Sequence, residues 1–177
     1  MKHKLFFILG ILVLVSCSTS QPRRPINPKP STTIFQTTIE ASKKLIQLEE
    51  INILQHLKRD STKKYIASNN GFWYYYTTKV EENISSPKIG DEVTLQYDIR
   101  DLNDSIIYSK EELGIKKYKI DREDFISGIQ KGIKLMKIGE TITFVIPSYN
   151  AFGISGDGNK IGINQTIKST VTLLNIN

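Results

Sequence analysis

Apolar residues recur along this chain with two different periods, and each period predicts a different element. From Ser31 to Asn70 there is neither Pro nor Gly. Ala41, Leu45, Leu48 and Ile51 fall on one side of a helix, and Ile46, Ile53, Leu54 and Leu57 widen that stripe. Thr37 and Glu40 have capping-box spacing, so a helix is predicted over about 38–58, closed by Asp60-Ser61. A shorter helix is predicted to run on to Ser68, stopped by Asn69-Asn70-Gly71. The stripe must be buried, either on the rest of its own chain or against a second copy. It drifts instead of keeping a strict heptad, so docking on its own domain is the reading carried forward.

The period then becomes two. Phe72-Trp73-Tyr74-Tyr75-Tyr76 is read as an aromatic strand rather than a stacking platform. Val93, Leu95, Tyr97 and Ile99 alternate with Thr94, Gln96, Asp98 and Arg100, as a half-buried strand does. Asn103-Asp104 makes a turn, Ile106-Ile107-Tyr108 continues the strand pattern, and Tyr118-Lys119-Ile120 is a further short strand. Ile126, Ile129, Ile133 and Met136 recur at three- and four-residue steps, giving a short helix. Gly128 and Gly132, poor helix formers, lie on one side of it, where a missing side chain lets a neighbour pack close. Ile142, Phe144 and Ile146 form the next strand, and Ile167, Ser169, Val171 and Leu173 share one face of the last. A short helix laid on an antiparallel sheet, with a Gly-rich loop at the strand end, makes a small apolar pocket. The fold class is α+β.

Charge adds little to this. The chain has 24 Lys+Arg against 18 Asp+Glu, a formal charge of +6. The charges are scattered and read as a solvated surface, not a nucleic-acid face. There are two histidines, His3 and His56, and one cysteine, so no metal set and no nucleophile–base grouping is expected. The loop with Gly153, Gly156, Gly158 and Gly162 lacks the Lys-Ser/Thr ending of a phosphate cradle and the carboxylates of a calcium loop. It is read as a mobile flap.

The start of the chain carries an address. Lys2 and Lys4 precede an apolar run, Leu5–Val15, as in a secretory leader too short to span a bilayer comfortably. Leu14-Val15-Ser16-Cys17 resembles a bacterial lipobox, which implies acylation of Cys17 and membrane anchoring. Ser18 after the cysteine implies outer-membrane sorting, and the absence of an acidic cluster in Thr19–Arg24 implies the periplasmic face. Pro22, Pro25, Pro28 and Pro30 then mark a semi-extended tether. The expected organisation is a leader over 1–16, a tether over 17–36, a helical segment over 37–70 and a sheet domain over 71–177.

The run Phe125-Ile126, Gly128, Gly132, Met136, Gly139 and Ala151-Phe152-Gly153 resembles the FKBP-type peptidyl-prolyl isomerases. The resemblance reaches back to Gly90–Tyr97 and forward to Thr166–Leu174, covering about residues 72–177. It implies an antiparallel sheet wrapped on a short helix, no cofactor, and proline-containing polypeptides as partners. It implies that Tyr97, Ile126, Ile129 and Phe152 form the catalytic site, with the Ile126 backbone N–H receiving a peptide carbonyl. It places Ile107, Tyr108, Phe125, Ile161 and Ser169 around the substrate. Departures from the family are evident: Ile129 stands where the floor is usually Trp, Phe152 for a Tyr, Ile107-Tyr108 for Phe-Asp, Ser169 for a Phe, and Lys116 near another aromatic wall. The stretch Tyr65–Tyr75 resembles lipoprotein FKBPs associated with gliding motility. Two functions stay open: a membrane-tethered isomerase, and a non-catalytic chaperone or envelope-assembly subunit of the same fold.

Overall fold

The computed structural model describes residues 32–81 and 85–177. The leader, Cys17 and most of the tether lie outside them. Helix α1 spans Thr32–Arg59. Strands β1 (Ile66–Ser68), β2 (Phe72–Thr78), β3 (Glu92–Tyr97), β4 (Ile99–Arg100) and β5 (Ile106–Tyr108) follow. Then come the single-turn helix α2 (Lys110–Leu113), β6 (Ile115–Lys119), α3 (Ser127–Ile133), β7 (Thr141–Ile146) and β8 (Ile167–Ile176). The sheet is antiparallel in the order β1-β2-β7-β8-β3-β6, with β4 bridging β8 and β5.

Three local expectations differ from what formed. Helix α1 begins at Thr32, so Thr37 and Glu40 lie inside it and the tether is already helical there. Ile66–Ser68 is a strand, not a second helix: it pairs with Phe72–Tyr74 across a tight turn in which Gly71 takes φ 76°. A three-residue strand has no periodicity of its own and exists through its partner. The alternating run from Val93 to Ile99 is broken at Asp98. That buried carboxylate accepts from Thr170 N (2.9 Å) and from the Arg100 guanidinium, pulling the chain from β3 into β4.

Residues 39–177 form one compact unit. One sheet face presents Ile142, Phe144 and Ile146 beside Val171, Ser169 and Ile167, and α3 packs on it. The two glycines make that packing close. A Cβ on Gly128 would sit 2.5 Å from Ile146 Cγ2, and one on Gly132 2.5 Å from Phe144 Cε1. Ile129, Ile133 and Met136 complete this core with no exposed surface. Within the same unit, α1 buries Ile53 and Leu57 against Val145, with Tyr65, Trp73 and Leu102 alongside. Leu45, Leu48 and Ile51 on the same helix stay exposed, so only part of the apolar stripe is covered. Glu49 adds polar anchorage: its carboxylate accepts from Ser148 N (2.7 Å), Ser148 Oγ (2.7 Å) and Thr166 Oγ1 (2.6 Å).

Candidate active site

The residues expected to line the site come from four pieces of chain that share the main core. Strand β3 ends with Tyr97. The segment entering α3 brings Phe125 and Ile126, and its first turn brings Ile129. The turn after β7 brings Phe152, and the Gly-rich loop brings Ile161. Tyr97, Ile129 and Ile161 belong to the buried core, and Ile107, Tyr108, Phe125, Ile126 and Phe152 pack against it half-buried. Eight of the nine residues expected around the pocket thus belong to the main apolar core or pack against it. The ninth, Ser169, is fully buried opposite Phe144, and its hydroxyl donates to Asp98 O (2.7 Å). Its proton is committed to the β3–β4 junction.

Phe125 is held from three directions. The Tyr97 ring meets it edge-on at 5.3 Å between centroids, the Tyr118 ring lies tilted at 5.2 Å, and the Lys116 ammonium stands 5.9 Å from its centre. Lys116 therefore faces an aromatic ring, at the outer range of a cation–π contact. Ile126 precedes α3 as its N-cap. Its N–H has no acceptor inside the helix, because the first turn leaves such donors open. It makes no hydrogen bond among the described residues. The floor is sealed: Ile129 is 0% exposed and Ile161 3%. Phe125, Ile126 and Phe152 are only half-buried, whereas Ile129 has no exposed surface.

The Gly-rich loop is pinned. Tyr108 Oη donates to Asp157 Oδ2 (2.5 Å) and accepts from Asn159 Nδ2 (3.1 Å). Asp157 Oδ1 accepts from the backbone N–H of Asn159 and of Ile161. The Lys160 ammonium lies 4.6 Å over the Tyr108 ring and pairs with Glu112 (2.6 Å). Desolvation pushes the Asp157 carboxyl up, but the hydrogen bonds from Tyr108, Asn159 and Ile161 outweigh it and hold it below the usual range. The same bond to Asp157 pushes the Tyr108 phenol up. Asp157 and Tyr108 are 49 residues apart, and no local pattern could have paired them. Among the described residues no group of three His, Cys, Asp or Glu is gathered as a metal site.

A groove of about 640 Å³ lies elsewhere, between α1 and the turns at Leu102, Tyr149 and Ile154. None of the nine pocket residues lines it. The site itself has apolar walls, one open backbone donor and no ionised group at its floor. It can take an amide out of water, but it holds no nucleophile or base.

The family model for FKBP-type peptidyl-prolyl cis-trans isomerases matches residues 84–174. Over 120 residues the chain is 31% identical to the probable FKBP-type peptidyl-prolyl cis-trans isomerase FkpA of Neisseria meningitidis serogroup B, covering 68% of this chain and 43% of that one. It thus spans less than half the length of that relative. The N-terminal domain of FKBP42 from Arabidopsis thaliana superposes with a TM-score of 0.58 at 14% identity, over 64% of this chain and 92% of that one, and so shares the fold. The matched stretch contains all nine residues expected around the site, and the chain belongs to the FKBP-type peptidyl-prolyl cis-trans isomerase family.

Proposed function

We propose that this chain accelerates the cis–trans isomerisation of X-Pro bonds in polypeptides. The barrier is high, of order 20 kcal/mol, because amide resonance separates charge and stiffens the C–N bond. A dry, apolar surround disfavours that charge separation and so favours the twisted amide, and each ~1.4 kcal/mol gained is a tenfold rate. The observation that carries this reading is the joint presence of apolar walls at Phe125, Ile126 and Phe152 with an unengaged Ile126 N–H. A protease-coupled rotamase assay tests it. Acceleration over buffer for at least one residue preceding Pro is expected, and none for any residue overturns it.

A second reading is favoured by the sealed Ile129 floor: the pocket grips a polypeptide without turning it over. Suppression of aggregation of an unfolded protein, with no rotamase activity, supports that alternative.

The location belongs to the same proposal. Lys2, Lys4, the apolar run and Leu14–Cys17 support a lipoprotein, acylated at Cys17, on the periplasmic face of an outer membrane. Several acyl chains anchor firmly, at roughly 0.8 kcal/mol per buried methylene. Mass spectrometry of the N-terminal peptide shows the modification or its absence. The clientele would be envelope proteins, and the stretch Tyr65–Tyr75 supports a link to gliding motility. A monomer is the expected state, supported by Ile53 and Leu57 docking within their own unit, and light scattering tests it.

A further inference from the structure

Phe152 brings no side-chain donor to the site, and most of the polar groups around it are already spent. The Tyr108 proton goes to Asp157, and the Ser169 proton goes to Asp98 O. Phe125, Ile126, Ile129, Ile107 and Ile161 carry none. Tyr97 is different. It is 8% exposed, yet its hydroxyl takes part in no hydrogen bond among the described residues. No fully buried side-chain oxygen or nitrogen among the described residues lacks a partner, so this hydroxyl keeps some solvent-accessible surface. Its ring is fixed edge-on against Phe125, the residue next to the open Ile126 N–H. A buried phenol without a partner is costly to keep unless a ligand or water completes it.

We propose that Tyr97 Oη–H is the side-chain donor of this site, hydrogen-bonding a carbonyl oxygen of the bound X-Pro peptide beside the Ile126 N–H. This rests on the isomerase reading and deepens it. Burial pushes the Tyr97 phenol up, which keeps it protonated and able to donate at every physiological pH. A carbonyl held equally in the planar and in the twisted amide is bound without being turned. Its work is therefore to hold the peptide, and it shows in affinity and in kcat/KM, while the dry walls lower the barrier.

The test is Tyr97→Phe, which deletes one oxygen and keeps the ring. An X-Pro peptide titrated by calorimetry is expected to bind about fivefold to tenfold more weakly, ~1–1.4 kcal/mol, and kcat/KM falls by the same factor. Tm stays within about a degree, because the hydroxyl makes no bond inside the fold. Phe152→Tyr placed on top restores part of the affinity from the opposite wall. Unchanged peptide affinity in Tyr97→Phe overturns the proposal, and so does a clear loss of Tm, which assigns the hydroxyl to the fold. The affinity measurement separates the two claims: a parent that binds the peptide but does not isomerise it overturns the isomerase alone, and the Tyr97 comparison is still read.

Discussion

The two faces of the sheet are made of different materials. On the face beneath α3, Ile142, Phe144 and Ile146 pair with Val171, Ser169 and Ile167, and only one hydroxyl interrupts the hydrocarbon. On the other face, Thr141 and Thr172 share a hydrogen bond of 3.0 Å, as do Thr143 and Thr170, followed by Val145 beside Lys168. The first face is fitted by shape, with glycines letting a helix backbone lie on aromatic and aliphatic side chains. The second adds polar bonds, three of them to Glu49, to a smaller apolar patch of Ile53, Leu57 and Val145. The residues of the proposed site belong to or pack on the dry core. The polar face is left to hold the turns in place.

Breaking the dry face has the largest effect. Gly132→Val drives a side chain into Phe144, which is already wedged against Phe72 at 5.6 Å. A loss of about 3 kcal/mol is expected, roughly 10 °C in Tm for a chain of this size, read by thermal unfolding. On the polar face, Glu49→Ala leaves the buried Ser148 N–H without its acceptor. About 2 kcal/mol is expected from urea unfolding, with an unchanged m-value. Glu49→Ala matching the parent would mean that the polar face is ornamental. Phe152→Tyr sharpens the picture of the pocket: binding of a macrolide-type FKBP ligand tightens by about 1 kcal/mol, near fivefold, in calorimetry. An equal or weaker affinity shows that residue 152 does not face the ligand. The smallest effect is acid release of the Gly-rich loop. The Asp157 carboxyl is lower folded than unfolded, so its contribution is complete above its ordinary value of 3.8 and is lost as pH falls through the folded value below it. Protection of the Asn159 and Ile161 amides against exchange is expected to hold from neutral pH past 3.8 and to fail only as pH falls through the lower folded value, whereas Asp157→Ala, which removes the acceptor, loses it at all pH values.

What could be read in the sequence follows from how local the cause is. The α3–β7 unit was legible because its period, its two glycines and its change of period lie within twenty or so residues. The family was legible through the pattern around Phe125–Gly139, which lies within the stretch that the family model matches. Strand β1 was not, since Ile66–Ser68 carries no period and is created by pairing with β2. The pinning of the Gly-rich loop was missed because Tyr108 and Asp157 meet only in the folded chain. The sealed floor was missed too: that Ile129 is smaller than Trp says nothing of whether its neighbours close over it.

The carboxylate of Glu49 decides where this molecule can be trimmed. The family match starts at residue 84, and a cut there keeps every pocket residue. It also discards α1, β1 and β2, bares an edge of β7, and orphans the amide of Ser148, four residues before Phe152. An excised fragment drawn to the boundary of the homology would thus come away with a loosened pocket wall. The autonomous piece begins upstream, in the stretch of chain that the family pattern does not cover.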